Sequence, residues 1–251
     1  MAIYASSDWH GQGELGMAIL DWLKPDDKLY FLGDAADRGP DGIKLMMALL
    51  KDKRVTYLKG NHEQFMINSL LKGEDNWLWM VNGGLATEEA YAQLNYEDAT
   101  WLIHKLDKLP LTAEVRTQKG LILMEHAGRT VGVSDYRHDP LWDRDHFYEP
   151  WSDDPKDKDT YMVHGHTPVQ YLIFETGFID LDPEKAKELK QSIVEEAEAY
   201  YGDSPYVWKP DIVKYCGGHK IDIDLGAFQS GRIAVLDLDT LEPIYFTEEG
   251  E

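Results

Sequence analysis

The sequence of 251 residues contains a single cysteine, Cys216. That excludes an internal disulfide and any metal site built from several thiolates, and it suits a reducing compartment. No apolar run approaches the ~20 residues that a bilayer-crossing helix needs. The opening residues, Ala2-Ile3-Tyr4-Ala5-Ser6, show neither the basic nor the long apolar region of a secretion signal, so a cytoplasmic setting is expected. Basic residues are also scarce. Against 46 Asp and Glu stand 25 Lys and Arg, for a net charge of −21. Such a field repels polyanions, so neither nucleic acid nor an anionic membrane is an expected partner. What remains, 43% hydrophobic and 28% charged residues, is the composition of a folded water-soluble domain rather than a disordered or fibrous chain. The length is sufficient for one domain spanning 1–251 with a substantial core.

The first sixty residues alternate short apolar runs with helical periodicity, which predicts α/β layering. Ile3 to Ser6, Lys28 to Leu32 and Val55 to Leu58 read as strands. Between them Leu15, Ala18, Ile19, Trp22 and Leu23, then Ile43, Met46, Met47 and Leu50, recur at helical spacing. Residues 64–110 read as a helical cap, broken into two helices at Asn82-Gly83-Gly84. Strand character returns at 121–124, 161–163, 171–174, 221–224 and 233–238. The polar stretch 149–159 reads as a solvated loop. Asp182 to Gly202 reads as an amphipathic helix, with Asp182 as N-cap, Pro183 in the first turn and Gly202 as the stop.

The chemistry-bearing residues fall at strand ends, where open α/β sheets place their ligands. Asp8 and His10 follow the first strand, Asp34 the second, Asn61 the third, and His126 and His166 two later ones. Any one of them alone would be read as a satisfied structural side chain. Together they supply six O and N donors from five strand ends, a set suited to a borderline transition ion such as Mn, Fe or Zn rather than to Ca or Mg.

The series Asp8-Trp9-His10-Gly11, Gly33-Asp34-Ala35-Ala36-Asp37-Arg38-Gly39, Gly60-Asn61-His62-Glu63, His126-Ala127-Gly128 and Gly165-His166-Thr167-Pro168 resembles the calcineurin-like metallophosphoesterases. Within them it looks like the bacterial and phage branch of the serine/threonine protein phosphatase (PPP) family. The resemblance covers most of the chain outside residues 175–218, a segment longer than the usual bacterial connection. A second departure is Ser7, where the family usually has Gly before the first Asp. The resemblance implies a four-layer α/β/β/α sandwich of two mixed sheets with a helical insertion. It also implies two divalent transition-metal ions, with Mn²⁺ foremost and Fe, Zn, Ni or Co as alternatives. Asp8 and His10 would hold one ion, Asn61, His126 and His166 the other, and Asp34 would bridge them.

The implied reaction is hydrolysis of phosphoserine or phosphothreonine by direct attack of a metal-bound hydroxide, with no covalent enzyme intermediate. His62 would be the general acid for the leaving oxygen, with Asp37 orienting and charging it. Arg38 and a second arginine would clamp the phosphate oxygens, since a planar fork matches them. The family's second arginine follows a Leu-Trp pair, here Leu141-Trp142-Asp143-Arg144, which nominates Arg144 ahead of Arg129 and Arg137. The expected partner is a phosphoprotein or a small phosphorylated substrate. A symmetrical dinucleoside tetraphosphate hydrolase is the enzymatic alternative, and a metal-bound interaction scaffold the non-enzymatic one. The superfamily's phosphodiesterases usually carry Gly-His-x-His, whereas Pro168 stands here at the second His. Residues 175–218 are expected to cover part of the site mouth or to form a peripheral helix.

Overall fold

The computed structural model describes residues 1–132, 138–174 and 209–247, together with Glu184, Lys187 and Gln191. Apart from those three residues the expected helix from Asp182 to Gly202 lies outside the described residues, as do most of the segment 175–218 and Arg137.

Two five-stranded mixed sheets face each other. In the first, β1 (Ile3–Ser6), β2 (Lys28–Phe31) and β3 (Val55–Tyr57) run parallel, while β9 (Arg232–Asp237) and β10 (Glu242–Thr247) extend the other edge antiparallel, in the order β10-β9-β1-β2-β3. The second has the order β4-β5-β6-β8-β7, with β4 (Thr112–Arg116), β5 (Leu121–Glu125), β6 (Thr160–His164), β7 (Val213–Tyr215) and β8 (Lys220–Asp222). Its central strands β5, β6 and β8 are parallel and its edges antiparallel. Central parallel strands are covered on both faces, which is why β5 and β6 read as nearly continuous apolar runs.

Ala5, Leu32, Leu58, Ile122, Met124, Val163, Ile221, Leu236 and Leu238 form the dry layer between the sheets. On the outer face of the first sheet, α1 (Gly13–Trp22) and α2 (Gly42–Lys51) contribute Ile19, Leu20, Leu45, Met46 and Leu49 to a core shared with Trp9 and Phe31. The cap begins with α3 (Asn61–Ile67), runs through one π-helical turn, Asn68–Lys72, and continues as α4 (Asn76–Val81), α5 (Leu85–Ala92) and α6 (Tyr96–Asp107). The break at Asn82-Gly83-Gly84 is present, but Gly73 at φ 73° and the Asn95 N-cap, which accepts from the Asp98 N–H, divide the cap further. Leu102, Leu106, Phe65 and Trp79 carry the cap into the first core.

One strand expectation fails. Val169–Phe174 is a 3-10 helix, because Pro168 starts a turn closed by the Tyr171 N–H on the Pro168 carbonyl and buries Val169 and Leu172 three residues apart. The stretch 149–159 is exposed at Asp153, Asp154 and Asp159, but Asp157 is buried and accepts from the Ser152 hydroxyl at 2.7 Å. A last short helix, α7 (Ala227–Ser230), precedes β9. Among the described residues no helix is long and apolar enough to cross a membrane.

Candidate active site

The parallel pairing of β1 with β2 does not stop where the strands end. The Asp8, His10 and Gly11 N–H groups donate to the carbonyls of Gly33, Asp34 and Ala35, each at 3.0 Å. Two motif loops are thereby laced together, and Asp8, His10 and Asp34 arrive side by side. Glycine is required where these loops meet others. A Cβ on Gly60 would fall on the Asp34 carboxylate, and one on Gly165 would fall on that of Asp8. Nine non-glycine residues have positive φ among the described residues, and six of them are Asp8, His10, Asp34, Asp37, Arg38 and His166, with φ between 41° and 72°. Left-handed backbone at such residues is strained, and strain of this kind concentrates at functional sites.

The structure gathers the buried Asp8, His10, Asp34, Asn61, His62 and His126 and the half-buried His166 into one cluster. His10 Nδ1 donates to the Ala36 carbonyl at 3.0 Å and His126 Nδ1 to the Leu32 carbonyl at 2.9 Å. Both rings therefore turn Nε2 inward, where it lies 3.8 Å and 3.4 Å from Asp34 Oδ2. Asn61 Oδ1 lies 2.7 Å from His126 Nε2 and 3.0 Å from His166 Nδ1. Asp8 accepts from the Ser7 hydroxyl and the His166 N–H through Oδ2, while its buried Oδ1 has no hydrogen-bond partner. Ser7, the departure from the family pattern, thus adds a donor to Asp8.

Two triads of ligand atoms converge within 4.8 Å, His10–Asp34–His62 and Asp8–Asp34–His126, and Asp34 belongs to both. Burial and close charge set the electrostatics of these groups. Burial pushes the Asp8 carboxyl up, although His126 opposes this. For Asp34 burial acts the same way but loses to the His126 and His62 rings, which hold the carboxylate well below the usual range. Burial opposes charge on His126 too, yet Asp34 drives its pKa up to about 10. Burial lowers His10 and His166 well below the ordinary imidazole value. An orphaned buried carboxylate oxygen, imidazoles whose ring nitrogens converge on Asp34 and Asn61, and an amide oxygen form a donor set that fits divalent transition ions.

A second set of contacts surrounds this cluster. His62 Nδ1 donates to Asp37 Oδ2 at 2.6 Å, and the Trp79 indole N–H reaches both Asp37 oxygens at 3.0 and 2.9 Å. Burial disfavours protonated His62, but the Asp34 charge and the Asp37 hydrogen bond prevail and raise its pKa. Arg38 Nη2 lies 3.5 Å from His62 Nε2. Arg144 Nε donates to the Thr167 hydroxyl at 3.2 Å, next to His166. Arg129 is instead drawn to Glu125 at 3.2 Å. His164, on the same strand end as His166, turns to the Tyr215 hydroxyl at 2.7 Å.

Three contributors were not singled out from sequence. Glu63 accepts from the N–H groups of Gly60, Asp34, Ala35 and Ala36 and from the Tyr57 hydroxyl. Trp79 fixes Asp37, and Thr87 accepts from the Asp37 N–H at 2.9 Å. Glu63 carries a sequence signal as the capping residue at the third position of α3, answering Gly60. Trp79 and Thr87 carry none, because both depend on how the cap folds back.

The family model for calcineurin-like phosphoesterases matches residues 1–220, and the chain belongs to that family. By class it is therefore a metal-dependent phosphatase, a hydrolase. Serine/threonine-protein phosphatase 1 of Salmonella typhimurium is 29% identical over 154 residues, covering 57% of this chain and 68% of its own. An asymmetrical bis(5'-nucleosyl)-tetraphosphatase of Oceanobacillus iheyensis is 31% identical over 163 residues, covering 57% of this chain and 63% of its own. The chain thus spans about two thirds of the length of these curated relatives. Among solved structures, a Saccharomyces cerevisiae protein serine/threonine phosphatase with similarity to human phosphatase PP5 aligns over 98% of this chain and 80% of its own at a TM-score of 0.55. At 13% identity that likeness speaks for the fold.

Proposed function

We propose that this chain is a phosphomonoesterase that binds two divalent transition-metal ions and removes phosphate from phosphoserine and phosphothreonine. The observation that supports the reading is the convergence of Asp8, His10 and His126 on Asp34, the residue common to both triads. The triads set His10 beside His62 and Asp8 beside His126, so the division of ligands between two ions follows the family resemblance. Asp8 and His10 would serve one ion, with Asn61, His126 and His166 serving the other. Mn²⁺ suits the mixture of carboxylate, amide and imidazole donors, as Fe, Zn, Ni or Co also would. Two such ions supply Lewis acidity and a nucleophile from water at neutral pH.

The chain's own residues supply the rest. Arg38 and Arg144 bind the non-bridging phosphate oxygens with planar forks and balance charge that grows toward the transition state. His62, whose pKa Asp34 and Asp37 raise against the opposing effect of burial, would pass its Nε2 proton to the leaving oxygen. Asp37 holds that ring by Nδ1, and Trp79 holds Asp37. The ring thus keeps one orientation through the transfer.

A dinucleoside tetraphosphate is the second reading, favoured by the relative from Oceanobacillus iheyensis, which is of the asymmetrical kind. The net charge of −21 weighs against it, since the ligand is a polyanion. One experiment separates them. Mn²⁺-loaded protein is given a phosphoserine peptide, a dinucleoside tetraphosphate and a phosphodiester side by side. The proposal expects the highest kcat/KM on the phosphopeptide, and a higher value on the tetraphosphate would replace it with the second reading.

A further inference from the structure

We propose that the exposed apolar face of the cap formed by Trp77, Leu78, Val81 and Leu85 docks the apolar and cationic residues that flank the phosphorylated residue of a peptide substrate. The inference rests on the phosphomonoesterase reading above and gives it a substrate class, cationic phosphopeptides.

Single exposed hydrophobic residues are ordinary on protein surfaces, but here they are concentrated. Trp77 is 74% exposed, Val81 56% and Leu85 57%. Trp77 and Val81 are four residues apart on α4 and share a face. Trp79 lies between them in sequence, yet it points inward and is fully buried against Asp37. The helix therefore keeps one indole for the catalytic pair and offers another to solvent.

The face is tied to the reacting groups. Val81 and Leu85 bracket the turn Asn82-Gly83-Gly84, whose Gly83 carbonyl accepts from the Arg38 N–H at 3.0 Å. Thr87, in the first turn of α5, holds the Asp37 N–H. Val81 and Leu85 therefore flank the stretch of backbone that holds Arg38.

Charge selects the occupant. From Gly73 to His104 the chain carries six acidic residues, Glu74, Asp75, Glu88, Glu89, Glu97 and Asp98, and no Lys or Arg. Among the described residues Glu74, Asp75, Glu88 and Glu89 form no ion pair. An anionic membrane or a nucleotide is repelled from such a rim. Peptide Lys or Arg is attracted to it and also finds the Trp77 ring face, a site for cation–π contact.

The test uses the full chain loaded with Mn²⁺ and two phosphoserine peptides, one flanked by Arg and Leu, the other by Glu and Gly, with p-nitrophenyl phosphate as control. The wild type should favour the first peptide by about tenfold or more in kcat/KM, mainly through KM. Trp77→Ser, alone and with Leu85→Ser, should remove most of that preference and leave p-nitrophenyl phosphate turnover unchanged. Should the pair of changes impair folding, the single change at the more exposed Trp77 decides. A preference that persists in both variants, or peptides cleaved equally by the wild type, overturns the docking face while the phosphomonoesterase reading stands. Cleavage of p-nitrophenyl phosphate but of neither peptide overturns the substrate reading and the docking face together. Sedimentation showing a wild-type dimer that Trp77→Ser dissociates would make the face a self-interface and overturn the proposal as well.

Discussion

Replacing Glu63 with Gln keeps the side chain's shape and removes its ability to accept on both ends. The buried carboxylate receives five donors, the Asp34 and Gly60 N–H groups on Oε2 and the Ala35 and Ala36 N–H groups with the Tyr57 hydroxyl on Oε1. An amide must place its NH₂ at one of these ends. The less damaging choice is the Oε2 end, which strands two backbone donors. Each unsatisfied buried donor costs about 1–3 kcal/mol, so the gross penalty is about 2–6 kcal/mol. Part is returned because burial and the nearby Asp34 charge already disfavour the ionised carboxylate and raise its pKa. A net loss of about 2–4 kcal/mol is expected. One of the stranded N–H groups belongs to Asp34 itself, whose backbone sits at φ 62°, so the carboxylate shared by the two triads should also lose its fixed position. Urea denaturation of the metal-free protein gives the stability term, and Mn²⁺ titration followed by elemental analysis gives the occupancy. Tyr57→Phe, which removes a donor and strands none, should cost about 1 kcal/mol and leave metal binding alone. A Glu63→Gln protein within 1 kcal/mol of wild type and with undiminished metal binding would refute the view that this carboxylate organises the site.

His62→Asn should lower turnover on a phosphoserine peptide by roughly 10² to 10⁴, and by much less on p-nitrophenyl phosphate, whose leaving group needs no proton. Equal losses on both, with metal content intact, would remove His62 from the acid role. Arg144→Ala should raise KM and lower kcat, and Arg129→Ala, whose side chain already faces Glu125, should do less; the reverse order would reassign the second phosphate arginine. Chelation should abolish activity and Mn²⁺ restore it, with Asp34→Asn lowering metal stoichiometry more than His10→Asn does. Hydrogen bonds from His138 to Asp143 and Glu125, at 2.7 Å each, push its pKa up to about 9. Its contribution to stability is therefore complete below about pH 6.5 and lost as pH rises toward 9. With 21% of the side chain accessible, screening cuts that contribution to about 1–2 kcal/mol. His138→Gln should flatten urea midpoints between these pH values, and an unchanged pH dependence would discount the bridge.

The strands that carry the site were legible because their ends are marked twice, by apolar runs and by the Gly-flanked polar motifs that follow. Those that escaped notice are edges. β4 has no buried residue, and neither has β10, which also contains Pro243, a residue tolerated at an edge. Periodicity has little to report where neither face is fully covered. Residues 171–174 show the opposite failure, an apolar run in which Leu172 is buried three residues after the buried Val169, a helical rather than a strand spacing. In the site, the residues of the five strand-end motifs were readable one motif at a time. Trp79 was not, because its value lies in meeting Asp37 across 42 residues of sequence, and one more tryptophan in a helical stretch is first of all core.

These long-range contacts explain how six strained residues persist in one place. Left-handed backbone at a non-glycine residue costs of order 1–3 kcal/mol, and no local interaction offsets that six times over. The offset comes from elements far apart in sequence. Continuation of the β1–β2 ladder fixes Asp8, His10 and Gly11 on the second motif loop. The helix that starts at Asn61 turns Glu63 back onto Asp34, Ala35 and Ala36. The cap then clamps Asp37 and Arg38 through Trp79, Thr87 and Gly83. None of these supports exists until both parallel strands and the cap are in place. His166, which follows β6 of the second sheet, is held in turn by its N–H on Asp8. The geometry of the site is therefore a property of both assembled sheets and the cap, and the motif loops, excised or out of register, would relax to unstrained backbone and separate their carboxylates and imidazoles.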